Sequence, residues 1–464
     1  VLALACLVGV TGCSGGTSGA DAAADAPPVD LPARDPDLIP AGSWLASAGG
    51  PQFDRAYDVA TDSAGNAYVI GYFDGQARFG SATFSASGFN DLFVSKLDPG
   101  GRWVWTATSD AGTSPGQFAS VAVDPAGNSY IAGGFSKQAA FGTHTLSGHE
   151  SSIFVGKLNP AGTFLWASQA GGWFSNAARS IAVDRDSNSY VTGYFNGATS
   201  FGSTTLSTGS NNAMFVAKLG PTGRFLWAVS SSGTSTVVAH DLALDSAGNS
   251  LVTGFFTGRV AFGSSSLRSR GLEEVFVVKL NRAGRFLWAR SAGGPKLDMG
   301  RAIGVDASGN ILVSGHFYDT AVFGSASLTS RGDADLFVSK LSPAGKFLWS
   351  ESGGGYALDQ VNDMALDSAG NAYVAGTFFV QAFFGEKRVD AMGHQDALLV
   401  KFDPSGRFLW GSGAGGTESD SAFGVALAPG QAQHRLVGYF KDRGQFGPHQ
   451  RTTAGDADAF VWSF

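Results

Sequence analysis

The sequence predicts an all-β seven-bladed β-propeller with four antiparallel strands per blade and a 61-residue repeat. Three observations carry this. Seven tryptophans fall at an unvarying interval of 61: Trp44, Trp105, Trp166, Trp227, Trp288, Trp349 and Trp410. Gly71, Gly133, Gly193, Gly254, Gly315, Gly376 and Gly438 recur with them, each followed two residues later by Phe, and a Phe-Gly pair recurs from Phe79-Gly80 to Phe446-Gly447. Each repeat also holds four segments of strand length, rich in branched and aromatic residues and separated by turn signals. In the fourth repeat they read SIAVD, YVTGYF, MFVAKL and RFLWAVS. No segment sustains a 3.6-residue period, so helices should be scarce.

The segments can be ordered within a blade. The first has a central Ala or Gly in every repeat (Ala60, Ala122, Ala182, Ala243, Gly304, Ala365, Ala426). Small residues suit strands crowded around an axis, so this segment is strand a, the innermost. The others follow outward as b, c and d. The chain then opens with a lone d strand at Trp44 and ends with an unpaired c strand at residues 459–464. The N-terminal strand should therefore complete the last blade and close the ring. Each repeated Trp is expected to be buried, removing about 150–250 Å² from water.

Turns come next. DSAGN stands at Asp62, Asp245 and Asp367, with DPAGN at Asp124, DRDSN at Asp184 and DASGN at Asp306. Asp at the first position can bond the backbone ahead of it, and Gly at the fourth takes positive φ cheaply. That is a hairpin turn between a and b and needs no ion. DRDSN starts like a calcium loop but lacks the loop Gly and the distal Glu. The c–d turns follow the same logic, with Pro second in five of six, as in NPAG from Asn159.

Composition excludes some partners. The chain has 464 residues, net charge −7 and only 15% charged residues, which argues against nucleic acid or an anionic membrane surface. Its two cysteines, Cys6 and Cys13, lie before the repeats, so the propeller has neither disulfides nor thiolate metal sites. No cofactor and no metal are expected.

Two sets of residues stand out within the repeats. Lys96, Lys157, Lys218, Lys279, Lys340 and Lys401 end strand c, at the same blade end as Asp62, Asp124, Asp184, Asp245, Asp306 and Asp367. The seventh repeat loses both, with Ala428 and Trp462 in their places. Structural Asp–Lys pairs are expected, within or between blades. The second set lies in the longer d–a loops, which share a face with the b–c loops, where function more often sits. One register there holds Asp54, Asn176, Asp298, Asp359 and Asp420, with Pro115 and Val237 in the other two blades. These five are the candidate ligand face, able to meet a cation or a hydroxyl-rich ligand; alternatively they satisfy loop amides.

Catalytic signals are poor. GTSPG at residues 112–116 precedes an inner strand rather than a helix, so it cannot form a nucleophile elbow. The seven histidines share no register. No catalytic residue is assigned. Should the chain be a carbohydrate-active enzyme instead, Asp298 and Asp359 are the first carboxylates to test.

The N-terminus reads as an address. Residues 1–13, VLALACLVGVTGC, are apolar and too short to span a bilayer, like a signal-peptide core. Val10-Thr11-Gly12-Cys13 resembles the lipobox of bacterial lipoproteins, which implies lipidation of Cys13. No Met and no basic segment precede it, so the start is read as truncated. Ser14 after the Cys implies, on that resemblance, release toward the outer membrane or cell surface of a Gram-negative bacterium. Residues 14–42, rich in Gly, Ala, Ser, Asp and Pro, read as a disordered acidic tether, and 43–464 as the propeller.

The runs DSAGN-Y-V-x-G and F-V-x-K-L-x-P-x-G-x-x-x-W, as at Asp62 to Gly71 and Phe93 to Trp105, resemble the bacterial β-propeller repeat (SBBP) family. The resemblance covers roughly Trp44 to Phe464. It implies the fold and says little about activity. The expected function is a lipid-anchored, non-catalytic binding or scaffolding module. Its partner would be an envelope protein or glycan, its only membrane contact the lipid, and its state monomeric.

Overall fold

The computed structural model describes residues 42–88, 90–110, 119–209, 211–428, 430 and 433–464. Cys13, the tether before residue 42, Pro115 and the GTSPG stretch lie outside them. Among the described residues every named element is a strand. In the first blade these are Arg55–Thr61 (a), Ala67–Phe73 (b), Asp91–Leu97 (c) and Trp103–Ser109 (d), paired antiparallel in that order. The order recurs in all seven blades. The last takes Ser421–Leu427, His434–Phe440 and Asp458–Ser463, then the N-terminal Trp44–Gly49 as its outermost strand. The register from Trp44↔Ser463 to Ala48↔Ala459 closes the ring by backbone hydrogen bonds.

Burial explains the apolar runs. Every residue of Ala67–Phe73 is buried, because neighbouring blades cover both faces of the strand. The core is therefore not one mass but a set of layers between blades. In one layer Tyr68 and Val94 of the first blade pack with Val121, Ile131 and Phe154 of the second. The small residue of strand a serves the same joint: a Cβ on Gly304 would lie 3.0 Å from Leu366 of the next blade. It packs sideways, not toward the axis as the sequence suggested.

The DSAGN turn is built as a hairpin. Asp62 and Asn66 pair through the backbone (N to O, 3.1 Å), Gly65 takes φ +82°, and Asp62 Oδ1 accepts the Ala64 and Asn66 amides at 3.0 and 2.9 Å.

The b–c connection is more than a loop. It folds into a further hairpin, Gln76–Phe79 with Ala82–Ser85 in the first blade, which joins the outer strand of the preceding blade. The contacts run Ala48↔Phe79, Ser109↔Phe141, Ala170↔Phe201, Ser232↔Ala261, Gly293↔Val322, Gly354↔Phe383 and Gly415↔Gln445. Every joint of the ring thus carries backbone pairing, and the outer edge of each four-stranded blade is covered. The recurring Phe-Gly pair is this hairpin's turn, with Phe79 buried and Gly80 at φ +61°.

The repeated Trp is also a joint, not a core residue. Each is only half-buried. The indole N–H donates to a proline carbonyl in the next blade's c–d turn: Trp44 to Pro99 at 2.8 Å, Trp105 to Pro160 at 3.0 Å, Trp166 to Pro221 at 2.9 Å and Trp349 to Pro404 at 3.2 Å. The ring lies on that turn's glycine, where a Cβ on Gly101 would come within 2.5 Å of Trp44. The expectation of full burial fails because the indole must reach across the rim to a neighbouring turn.

Six Asp–Lys pairs lie within single blades. The Nζ–Oδ2 distances are 3.8 Å (Lys96–Asp62), 3.8 Å (Lys157–Asp124), 3.4 Å (Lys218–Asp184), 2.9 Å (Lys279–Asp245), 2.9 Å (Lys340–Asp306) and 3.8 Å (Lys401–Asp367). Burial pushes the Asp245 carboxyl up, but the Asn249 amide and Lys279 outweigh it and hold it below its ordinary range. In the last blade Ser463, not Trp462 as the spacing suggested, stands in the Lys register, because this blade's b and c strands are set one residue later than the 61-residue spacing predicts. Arg435, paired with Ser463, donates to Gly65 O of the first blade's turn at 3.2 Å.

Two substitutions test these joints by urea unfolding. Lys279→Met, leaving Asp245 buried without its cation, should cost about 3 kcal/mol, and adding Asp245→Asn should restore part of it. An unmoved midpoint for the single variant would show that the pair contributes nothing. Val380 is 57% exposed yet sits at φ +61°, where Gly75, Gly197 and Gly258 stand in other blades. Val380→Gly should stabilise by about 1 kcal/mol; a loss of stability would contradict the strain.

Candidate functional site

Strand a carries a bulge against strand b, with register shifts at Ala56/Asp58, Ala178/Ser180, Ala239/Asp241, Gly300/Ala302, Val361/Asp363 and Ala422/Gly424. A bulge inserts one unpaired residue and re-aims the side chains around it. Here it exposes one register to the ring axis: Tyr57, Ala119, Arg179, His240, Arg301, Asn362 and Phe423. These line a cavity of ≈ 260 Å³, together with Asp58, Ser120, Ser180, Asp241 and Asp363 from the next position.

The three carboxylates bind backbone. Asp58 accepts Val59 N and, across the joint, Val121 N and Ser120 Oγ at 2.7–2.8 Å. Asp241 accepts Leu242 N, Ser180 Oγ and Ile303 N, each at 2.7 Å. Asp363 accepts Met364 N and Val425 N, each at 2.7 Å. Each therefore staples its blade to the next. Burial pushes Asp58 up to about 6, against the pull of these hydrogen bonds. Asp363 rises well above the carboxylate range through burial and then the charges of Asp58 and Asp241.

The cavity walls differ in character. Arg179 and Arg301 come from the third and fifth blades, with His240 between them. His240 Nδ1 lies 2.8 Å from Gly300 O, and burial, then the charges of Arg301 and Arg179, holds this ring well below its ordinary pKa and hence neutral. Facing them, Tyr57 and Phe423 from the first and last blades stack at 5.1 Å and 26°. Phe53 and Tyr439 extend this aromatic wall, and Arg55 lies 4.6 Å over Phe53. One side of the cavity is cationic and the other flat and aromatic.

The sequence-derived ligand face lies elsewhere. Asp54, Asn176, Asp298, Asp359 and Asp420 are each no more than 1% exposed. The four Asp accept the amide four residues earlier, from Gly50, Gly294, Gly355 and Gly416, at 2.5–2.8 Å. Asn176 donates to Phe174 O at 2.6 Å and accepts Thr199 Oγ1 at 2.7 Å. The register thus bonds its own loops, and neither Asp298 nor Asp359 presents surface at the mouth.

Sequence reasoning missed their partners. At the start of strand c, Asp458, Glu274, Asp335 and Asp396 lie beside Asp54, Asp298, Asp359 and Asp420, close enough for like-charge repulsion to be felt. Glu274, Asp335 and Asp396 fall 61 residues apart, so the repeat spacing could have found them. The axial register could have been found too, since Arg179, His240, Arg301, Asn362 and Phe423 keep the same spacing. Among the described residues no group of three or more His, Cys, Asp or Glu could hold a metal ion.

Fold and site together define a seven-bladed propeller with a polar axial cavity. Residues 165–202 and 352–377 match the SBBP family, described as a beta-propeller repeat. Among relatives, the "Uncharacterized WD repeat-containing protein L264" of Acanthamoeba polyphaga mimivirus is 23% identical over 79% of this chain and 34% of its own length. The chain thus spans about a third of that relative. Among solved structures, a puromycin hydrolase has a TM-score of 0.44 at 12% identity, over 88% of this chain and 55% of its own. A polysaccharide lyase, the PL25 ulvanlyase, has a TM-score of 0.44 at 10% identity, over 90% of this chain and 95% of its own. Likeness at this level says nothing of activity here.

The buried carboxylates make stability depend on pH. Burial raises Asp54, Asp359 and Asp396 to about 7, and Asp298, Asp335, Asp420 and Asp458 to about 6, from 3.8. Between those values the folded state binds protons that the unfolded chain does not, so folding gains as pH falls from 8 toward 5. Asp124, Asp184, Asp245 and Asp306 act oppositely, since their carboxyls are held below the ordinary range and lose stability only below about pH 4. The urea midpoint should be higher at pH 5 than at pH 8. An equal or lower midpoint would show that these carboxylates ionise freely in the fold.

Proposed function

We propose that this chain is a lipoprotein of a Gram-negative envelope, held at the outer membrane or cell surface by lipid on Cys13. Its propeller is a non-catalytic binding module that takes its ligand at the axial cavity. The observation that carries the reading is the bulge register. Many positions recur around the ring, such as the Trp, Gly and Phe-Gly registers, but this one holds Tyr, Ala, Arg, His, Arg, Asn and Phe at a single cavity. A register needed only for packing would favour uniformity, as the Ala or Gly register two residues before each turn does. The cavity carboxylates Asp58, Asp241 and Asp363 are held by backbone amides, which suits a fixed binding wall better than acid–base chemistry. Val10-Thr11-Gly12-Cys13 supports the anchor.

The test is thermal unfolding of the full chain with panels of envelope glycans and peptides. A ligand at a hundred times its Kd should add about 2.7 kcal/mol of stability, and Phe423→Ala should abolish the shift. Palmitate labelling in cells should disappear in Cys13→Ser. Accumulation of cleaved or unsaturated glycan product would overturn the non-catalytic reading in favour of a carbohydrate-active enzyme.

A further inference from the structure

The geometry points to a ligand class for this cavity: a small carboxylate-bearing, hydroxylated solute of sugar-acid size, held by Arg179 and Arg301 against the Tyr57–Phe423 stack. This rests on the axial cavity being the binding site.

The two guanidinium groups come first. Both line the cavity, and Arg301 Nε is buried with no hydrogen-bond partner. Burial, then the charge of Arg179, lowers Arg301 to about 10, so it stays cationic near neutral pH. Glu273 is the acidic side chain whose charge reaches Arg301, and among the described residues no carboxylate lies within ion-pair distance of the Arg301 guanidinium. Two neighbouring cations with a donor unused are poised for an oxyanion, and the planar fork of Arg matches a carboxylate.

The opposite wall limits what carries that carboxylate. Tyr57 and Phe423 offer a flat apolar surface, as the C–H face of a sugar ring requires. Neutral His240 and Asn362 offer partners for hydroxyls. A volume of ≈ 260 Å³ holds one such ring. The carboxyls of Asp58, Asp241 and Asp363 disfavour a second negative charge, so a carboxylate monoanion suits the site better than phosphate or sulfate dianions.

The experiment is calorimetric titration of the full chain with D-glucuronate, D-glucose, and inorganic sulfate as probes. Glucuronate should bind at least tenfold more tightly than glucose or sulfate. Arg301→Met should weaken glucuronate at least tenfold, and Arg301→Lys should weaken it less. Circular dichroism and melting temperature establish that each variant is folded, and Arg179→Met serves if Arg301→Met is not. Glucose binding as tightly as glucuronate, or folded Arg301→Met and Arg179→Met both binding unchanged, would overturn the carboxylate class while leaving the axial site standing. Absence of binding by all three probes would also overturn it. The wider panel and the Phe423→Ala shift then decide separately whether the cavity binds anything.

Discussion

A blade of this propeller cannot exist alone, because both of its faces are apolar. Its central strands are buried on either side, so each blade completes its core only against two neighbours. The joint between blades is the constraint on which the rest depends, and it is satisfied at three radii. At the axis, Asp58, Asp241 and Asp363 reach across to amides of the next inner strand. Between the faces, aromatic and branched side chains interleave. At the rim, the b–c hairpin pairs with the preceding blade, and the repeated Trp reaches forward to the next.

The rim contacts run in opposite directions. A blade gives its hairpin backward and its indole forward, so each joint is gripped from both sides. The last joint is made the same way, with the N-terminal strand receiving the hairpin at Ala48↔Phe79 and offering Trp44 to Pro99. Departures cluster where the ring closes. The last blade has Arg435 in the register where the first has Tyr68, and Ser463 where the first has Lys96. The guanidinium of Arg435 lies 4.8 Å over the ring of Trp44 and bonds Gly65 O. A charge pair internal to a blade is exchanged there for a contact that joins the two ends of the propeller.

With the joints holding most side chains in place, freedom to vary is left to the bulged positions at the axis. Backbone symmetry there coexists with side-chain asymmetry, cationic on one side and aromatic on the other. The acidic loop register contrasts with this. Its Asp recurs in four blades because those loops each present the same glycine amide, and repetition of a polar residue there signals backbone need rather than recognition.

The sequence by itself determined the period, the four strands, both turn types, the blade phase and the closure by the N-terminal strand. These follow from local geometry, since strand length, turn chemistry and a 61-residue spacing are written along the chain. Lys96 and Asp62 could be placed at one blade end on the same grounds. Only the tertiary structure decided what each recurring residue touches. Trp44 meets Pro99, 55 residues away in the next blade, and Phe79 lies on the preceding one. Asp298 turns into its own loop rather than toward the mouth. The axial register depends on a bulge, which shifts the two-residue alternation by one and sends Arg179 and Arg301 to the cavity. Spacing along a chain tells which residues are equivalent; which way they face is decided only when neighbouring blades press together.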